Sequence, residues 1–263
     1  MQLSAANHAF ISGGASGIGL GIGDALAKRG VRVTLADVNA EALAAVLCAR
    51  GGQFQGVALD VRNREQWQAA KAQAEAAFGP VDVVINNAGI APDGCEFADS
   101  LPESFERIIG INLMGVYNGV HCFAAQLRAA GGGYILNMAS MAGISVPPPG
   151  TGAYTTSKFA IVGLTEALRD EMAAHGVGVS VMCPGLVTTD LAANTARIGG
   201  MVRAITQAMP PGLDPAVAGE MAVRGIERDN FYILTAFDRD EPVRRRFEEQ
   251  LAAFAAGPDA DIV

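Results

Sequence analysis

Three glycines set between an apolar run and a helical one constrain this chain more than any other feature. In HAFISGGASGIGLGIGDALAKRG, residues 8–30, Gly13, Gly17 and Gly19 form a GxxxGxG pattern in which a short strand turns sharply into a helix. The turn needs residues without Cβ, the backbone must approach a pyrophosphate closely, and the first helical amides then face its charge. A second strand, VRVTLAD, ends in Asp37, 18 residues after Gly19. An acid there accepts both ribose hydroxyls of an adenosine. It also repels the 2′-phosphate of NADP, and Ser16, Val38 and Asn39 offer no cation to receive that phosphate. The pattern predicts NAD as the cofactor.

Strand and helix signals alternate along the rest of the chain, which implies a parallel sheet covered on both faces by right-handed crossovers. Strands are expected near 8–12, 31–36, 53–59, 81–86, 132–138, 177–182 and 231–235. Helices are expected near 17–29, 40–50, 63–78, 101–130, 153–175, 214–229 and 241–255. The fold class is thus α/β, a single Rossmann-like doubly wound domain over 1–263 with about seven strands. A variable loop at about 186–213 and a C-terminal helical tail at about 240–263 complete it. Ligands of such sheets bind at the carboxyl ends of the strands. There the glycine turn, Asp37, Asp60, Asn86, Ser140 and Pro184 all fall.

Tyr154 and Lys158 stand four residues apart in the helical stretch AYTTSKFAIVGL, so the phenol and the ammonium share one face, about 5–6 Å apart at Cβ. A cation about 4 Å from a phenol, at an effective dielectric near 20, contributes roughly 4 kcal/mol, or about three pK units. A tyrosine near pH 10 then becomes a general base close to neutrality. Only four tyrosines and the three lysines Lys28, Lys71 and Lys158 are present, so chance rarely produces this spacing.

These segments, in this order, resemble the short-chain dehydrogenase/reductase family over nearly the whole chain. SGGASGIG (12–19) resembles its cofactor turn, Asp60-Val61 its adenine contact, NNAG (86–89) its central-strand signature and Asn112 its helix asparagine. Ser140, Tyr154 and Lys158 fall on the catalytic serine, tyrosine and lysine, and PGLVTT (184–189) on the nicotinamide-side segment, where Thr188 bonds the carboxamide. The resemblance implies a catalytic set of Asn112, Ser140, Tyr154 and Lys158, with Asn112 holding a water in a proton path toward the lysine. It implies a cofactor set of Gly13, Ser16, Gly17, Ile18, Gly19, Asp37, Asp60, Val61, Asn87, Ala88, Gly89, Tyr154, Lys158, Pro184, Gly185, Val187 and Thr188. Strand order 3-2-1-4-5-6-7 follows by the same analogy. Two features depart from the family pattern: Pro147-Pro148-Pro149 lengthen the Ser140–Tyr154 interval by one residue, and a charged helical segment follows FYILT (231–235). That end weakly resembles family members that oxidise aromatic, benzylic alcohols.

A net charge of −8 argues against a nucleic-acid surface. Arg244, Arg245 and Arg246 are the only basic run and lie beside Glu248 and Glu249, as on a solvated helix face. Cys48, Cys95, Cys122 and Cys183 have neither metal-ligand nor CxxC spacing, which reads as reduced thiols and no metal. His8, His121 and His175 have no part in the scheme. No apolar run approaches the ~18 residues that span a bilayer, and too little chain precedes the glycine turn for a signal peptide. The expectation is a cytoplasmic protein without membrane or nucleic-acid partners.

The implied reaction is reversible hydride transfer, with Tyr154 moving the hydroxyl proton, Lys158 assisting it and Ser140 donating to the substrate oxygen. Substrate contacts fall to Met141, Val146, Leu186, Leu191 and Met201, in an apolar set with Ile144, Ile198, Val202, Ile205 and Met209. They suit a bulky, uncharged secondary alcohol or its ketone. Arg197 and Arg203 offer a carboxylate site or a solvated face. Two other readings stand beside this one: an NAD-binding protein without turnover, and a reductase of acyl thioesters or sugars. A homodimer or homotetramer is expected through the helices at 101–130 and 153–175, whose Ile108, Ile109, Val116, Ile161 and Leu168 exceed what one sheet face requires.

Overall fold

The computed structural model describes residues 6–202 and 211–257. Seven strands, β1 (His8–Ser12), β2 (Arg32–Asp37), β3 (Phe54–Ala58), β4 (Val83–Asn86), β5 (Tyr134–Met138), β6 (Gly178–Cys183) and β7 (Tyr232–Leu234), form one sheet in the order β3-β2-β1-β4-β5-β6-β7. Each pairing is parallel, and the order is the one expected. Burial on both faces makes β1, β4 and β5 uninterrupted buried runs rather than alternating ones. The register sets Ser12 opposite Ala36 and Asn86, so the glycine turn leaves the sheet level with Asp37 on one side and the NNAG segment on the other.

Helices α1 (Gly17–Ala27), α2 (Ala40–Arg50) and α8 (Pro215–Glu227) cover one face, packing Ile22, Leu26 and Val223 against Leu35 and Ile85. On the other, α3 (Arg64–Phe78), α5 (Met114–Ala130) and α6 (Gly152–Ala173) enclose Phe10, Trp67 and Phe123. These three rings meet with centroids 5.1–6.3 Å apart.

The sequence predicts one helix over 101–130, but the chain makes three pieces: α4 (Pro102–Ile108), a π turn (Ile109–Leu113) and α5. Apolar periodicity cannot register one extra residue in a turn, and such bulges gather at functional sites. The 29-residue span Pro102–Ala130 is also long and apolar enough to cross a bilayer, contrary to the sequence expectation. Half of its most apolar window is buried against the protein's own sheet, which accounts for its composition. The interface argument from apolar excess is corrected as well. Ile108, Val116, Ile161 and Leu168 are all buried within their own subunit, and Ile109 is half-buried. A short helix, α7 (Leu191–Arg197), lies in the variable loop, and α9 (Glu241–Ala256) is the last described helix.

Buried polar groups bind the layers together. His8 is fully buried, its Nδ1 2.8 Å from the Gly79 carbonyl and its Nε2 2.7 Å from Thr34 Oγ1. Asn86 donates to Asn137 Oδ1 at 2.8 Å, and Asn137 donates to Thr165 Oγ1 at 3.1 Å, linking β4, β5 and α6. Among the described residues Asn86 Oδ1 has no hydrogen-bond partner, and it lies against Gly119 of α5, where a Cβ would come within 1.9 Å of it.

Candidate active site

The glycine turn leaves β1 at its carboxyl end and is held from beneath. Ser12 Oγ accepts from the backbone amides of Asn87 (3.1 Å) and Ala88 (3.2 Å), and Asn87 Nδ2 donates to the carbonyls of Ser12 and Gly13, each at 3.0 Å. Asn87 and Ala88, expected beside a cofactor, thus shape the turn, and Ser12 joins them as a support. Gly17 has φ +54, a conformation that side chains resist. Ser16 precedes α1 without capping it, so the first amides of α1, around Ile18 and Gly19, remain available to an anion.

Asp37 accepts from Ala15 N at 3.1 Å and Asn39 N at 3.0 Å, which fixes its carboxylate beside the turn. Val38 beside it is 57% exposed. Asp60 lies at the end of β3 as expected, but its carboxylate is committed to Arg62, at 2.6 Å, and that guanidinium holds its pKa below the usual value. The Val61 carbonyl accepts from Trp67 Nε1 (3.0 Å) and Asn118 Nδ2 (2.9 Å).

Ser140 follows β5 and opens a 3-10 turn, Met141–Gly143, its Oγ accepting from Ala142 N at 3.2 Å. Tyr154 stands in the first turn of α6, half-buried, and Lys158 one turn later is buried. Lys158 Nζ donates to the Met138 carbonyl at 3.0 Å and lies 5.4 Å from the Tyr154 ring centroid. Burial pushes the phenol above its ordinary value while the Ser140 hydroxyl pulls it back. The sequence predicts a phenol depressed by the lysine, and here the direction is reversed. The ammonium is itself desolvated, which lowers it to about 8, and it is bonded to a carbonyl.

Asn112 sits in the π turn, fully buried, accepting from Ile90 N at 2.8 Å and donating to Ile90 O at 3.2 Å and Ser157 Oγ at 3.3 Å. Its side-chain amide is engaged by Ile90 and Ser157 rather than turned to open space. A Cβ on Gly89 would stand 3.3 Å from Asn112 Oδ1 and 3.7 Å from Lys158 Nζ, which brings these three expected residues to one spot.

Pro184 accepts from Met141 N at 2.9 Å, Gly185 donates to Thr235 Oγ1 at 3.0 Å, and Val187 pairs with Leu213. Thr188, expected on the carboxamide, turns its hydroxyl to the Gly212 carbonyl at 3.2 Å. Met141, Leu186 and Leu191 are half-buried, whereas Val146 (71%) and Met201 (40%) are exposed. Arg203, Ile205 and Met209 lie outside the described residues. Arg197 donates to Asn194 Oδ1 at 2.6 Å on the protein's own loop. Two residues of α7 were invisible to sequence reasoning. Asn194 Nδ2 donates to Ser16 Oγ at 3.1 Å, and Thr195 Oγ1 accepts from Ala91 N at 2.9 Å. Nothing in NTAR marks either contact, because both partners lie over 100 residues away.

A sequence profile for the short chain dehydrogenases matches residues 7–197, spanning the glycine turn, the serine, the tyrosine and the lysine. The chain belongs to the short-chain dehydrogenase family. Among curated relatives, the oxidoreductase UcpA of Escherichia coli is 35% identical over 224 residues, covering 81% of this chain and 85% of that protein. The probable oxidoreductase EphD of Mycobacterium bovis is 38% identical over 189 residues, covering 70% of this chain but 32% of its own length. This chain therefore spans about a third of EphD. A short-chain dehydrogenase/reductase from Burkholderia phymatum, solved in complex with NAD, superposes with a TM-score of 0.86 at 32% identity, covering 96% of this chain and 97% of that one.

The short-chain dehydrogenase family binds a nicotinamide cofactor. The chain's own geometry fits such a group, with an uncapped helix N-terminus, a left-handed glycine before it and a fixed acid at the end of β2. Among the described residues no cluster of three or more His, Cys, Asp or Glu offers a metal site.

Proposed function

We propose that this short-chain dehydrogenase moves a hydride between NAD and a bulky, mostly apolar secondary alcohol or its ketone. The observation that carries the reading is the meeting of Ser140, Tyr154 and Lys158 at the carboxyl edge of the sheet, with the phenol beside the serine hydroxyl and the ammonium behind the ring.

The bound nicotinamide supplies the hydride acceptor or donor. Tyr154 takes the alcohol proton as the carbonyl forms and returns it in reduction. Ser140 donates a hydrogen bond to the oxygen that gains charge. Lys158, anchored by the Met138 carbonyl, places a positive charge next to the phenol and favours its ionised form. Asn112 fixes Ile90 and Ser157 around the lysine, and Asn87 fixes the turn that receives the cofactor. Asp37, bonded to the amides of Ala15 and Asn39 and to no cation among the described residues, favours NAD over NADP by like-charge repulsion with a 2′-phosphate. The half-buried Met141, Leu186 and Leu191 support an apolar substrate.

NADH formation across a panel of aliphatic, alicyclic and aryl secondary alcohols tests this function. Turnover of the larger, uncharged members at the highest kcat/KM is the expected result. Absence of turnover with every alcohol and ketone, while NAD still binds, would leave a cofactor-binding protein instead.

A further inference from the structure

The diphosphate of a nicotinamide dinucleotide carries negative charge to a turn that has no positive side chain of its own. Gly13, Ser16, Gly17, Ile18 and Gly19 offer backbone amides and one hydroxyl. The amino end of α1 supplies about half a positive charge, while the Asp37 carboxylate, 3.1 Å from Ala15 N, sets a full negative one beside the same turn. Arg29, past the far end of α1, is committed to Glu220 at 2.9 Å and Glu227 at 2.7 Å. A cation reaches the turn from the variable loop instead. Asn194 on α7 donates from Nδ2 to Ser16 Oγ at 3.1 Å, and its Oδ1 accepts from Arg197 Nη1 at 2.6 Å. One side-chain amide thus ties a guanidinium to the hydroxyl of the cofactor turn. That path is two hydrogen bonds and one amide long, shorter than the ~10 Å over which 0.1 M salt screens a charge. Among the described residues no carboxylate pairs with Arg197.

We infer that Arg197, steered by Asn194, is a diphosphate-binding residue for the nicotinamide dinucleotide. The inference extends the cofactor half of the proposed function and does not depend on the substrate. It places Arg197 with the cofactor rather than with a substrate carboxylate or on a solvated face. A guanidinium suits that partner, because its planar donors match two phosphate oxygens at once. The helix that carries it is pinned at both ends. Thr195 Oγ1 accepts from Ala91 N at 2.9 Å, and Arg107 Nη1 donates to the Ile198 carbonyl at 2.8 Å. Thr189, just before α7, lies on the turn itself, where a Cβ on Gly17 would come within 3.1 Å of its methyl. Asn194 is the positioning residue: without its amide the charge stays on the loop but loses its link to Ser16.

Fluorescence titration with NADH, and competition by ADP and by adenosine, test the assignment in the parent, Arg197→Gln and Asn194→Ala. ADP keeps a diphosphate and adenosine lacks one. Arg197 is exposed, so the fold survives its loss, which circular dichroism verifies. Arg197→Gln should raise the dissociation constants of NADH and ADP at least about threefold at low salt, while adenosine binds as before. The difference should vanish near 1 M salt, where the screening length falls to ~3 Å. Arg197→Lys keeps the charge and should recover part of the affinity. Asn194→Ala should weaken NADH and ADP as well, with no further loss when it is combined with Arg197→Gln. Equal losses for ADP and adenosine, or a loss that salt leaves unchanged, overturn the inference, as does an Arg197→Gln protein that binds NADH and ADP as tightly as the parent. A parent that binds neither NADH nor ADP overturns the cofactor reading itself, and the inference with it.

Discussion

The Lys158 ammonium bonds the main-chain oxygen of Met138 at 3.0 Å, which pins a buried cation 5.4 Å from the centroid of the Tyr154 ring. The lysine is lowered to about 8 and the phenol is raised, both by burial. The first proton therefore leaves the Tyr154–Lys158 pair, as a coupled unit, near pH 8. Oxidation needs the proton acceptor, so its rate should rise as pH passes upward through that value, while reduction falls over the same interval. Lys158→Met should move the oxidation limb to higher pH, because burial then acts on the phenol without an opposing charge. Rate profiles of both directions for parent and variant measure this, and superimposable profiles would remove the lysine from the argument.

Tyr154→Phe keeps the ring and removes the proton carrier. Turnover should fall by more than tenfold, equivalent to a barrier increase above about 1.4 kcal/mol, with NAD affinity nearly unchanged. Steady-state rates and a cofactor titration separate the two effects. Retention of most of the rate would reassign the base.

The Asp37 carboxylate is fixed by Ala15 N and Asn39 N, and Val38 beside it is open to solvent. The unmodified protein should prefer NAD to NADP. Asp37→Ala combined with Val38→Arg removes the repelling charge and adds a partner for the 2′-phosphate, and should shrink or invert that preference. The ratio of kcat/KM for the two cofactors is the readout, and equal use of both by the parent would refute the role of Asp37.

Gly119 lets α5 lie directly on β4. A Cβ there meets Asn86 Oδ1 at 1.9 Å and the Trp67 ring at 2.9 Å, and Asn86 is held in place by Asn137. Gly119→Ala should cost about 3 kcal/mol of stability, at the upper end of overpacking, despite the better helix propensity of alanine. Urea denaturation gives the value, and a neutral result would show that the layer yields.

Burial lowers the pKa of His8 below 6.5. Above that pH the imidazole is neutral in both folded and unfolded chains, and its contribution to stability is complete. As pH falls below 6.5 the unfolded chain takes up a proton that the folded one resists. Stability then declines by at most about 1.4 kcal/mol per pH unit from this group, until the folded pKa is reached. His8→Asn should flatten the stability profile just below pH 6.5, above the range where carboxylates titrate, as read from urea midpoints.

Local pattern marked the strands and the motif residues that meet at the sheet's edge, while the family resemblance supplied the strand order. Glycine spacing, the acid ending β2 and the four-residue interval from Tyr154 to Lys158 are each set within one turn or one strand, so they are legible in the chain. Tertiary structure decided what those groups experience. The phenol is raised and the lysine lowered because distant elements exclude water from both, and no spacing encodes that. Asn112 clamps Ile90 and Ser157, and Asn194 reaches Ser16, through contacts that close only after the crossovers are wound. Ile161 and Leu168 look like spare apolar surface in sequence and are consumed by their own subunit, whereas Phe247, Leu251 and Phe254 of α9 are left bare. Periodicity reports that a helix has an apolar face, but only the packed chain shows whether something already covers it.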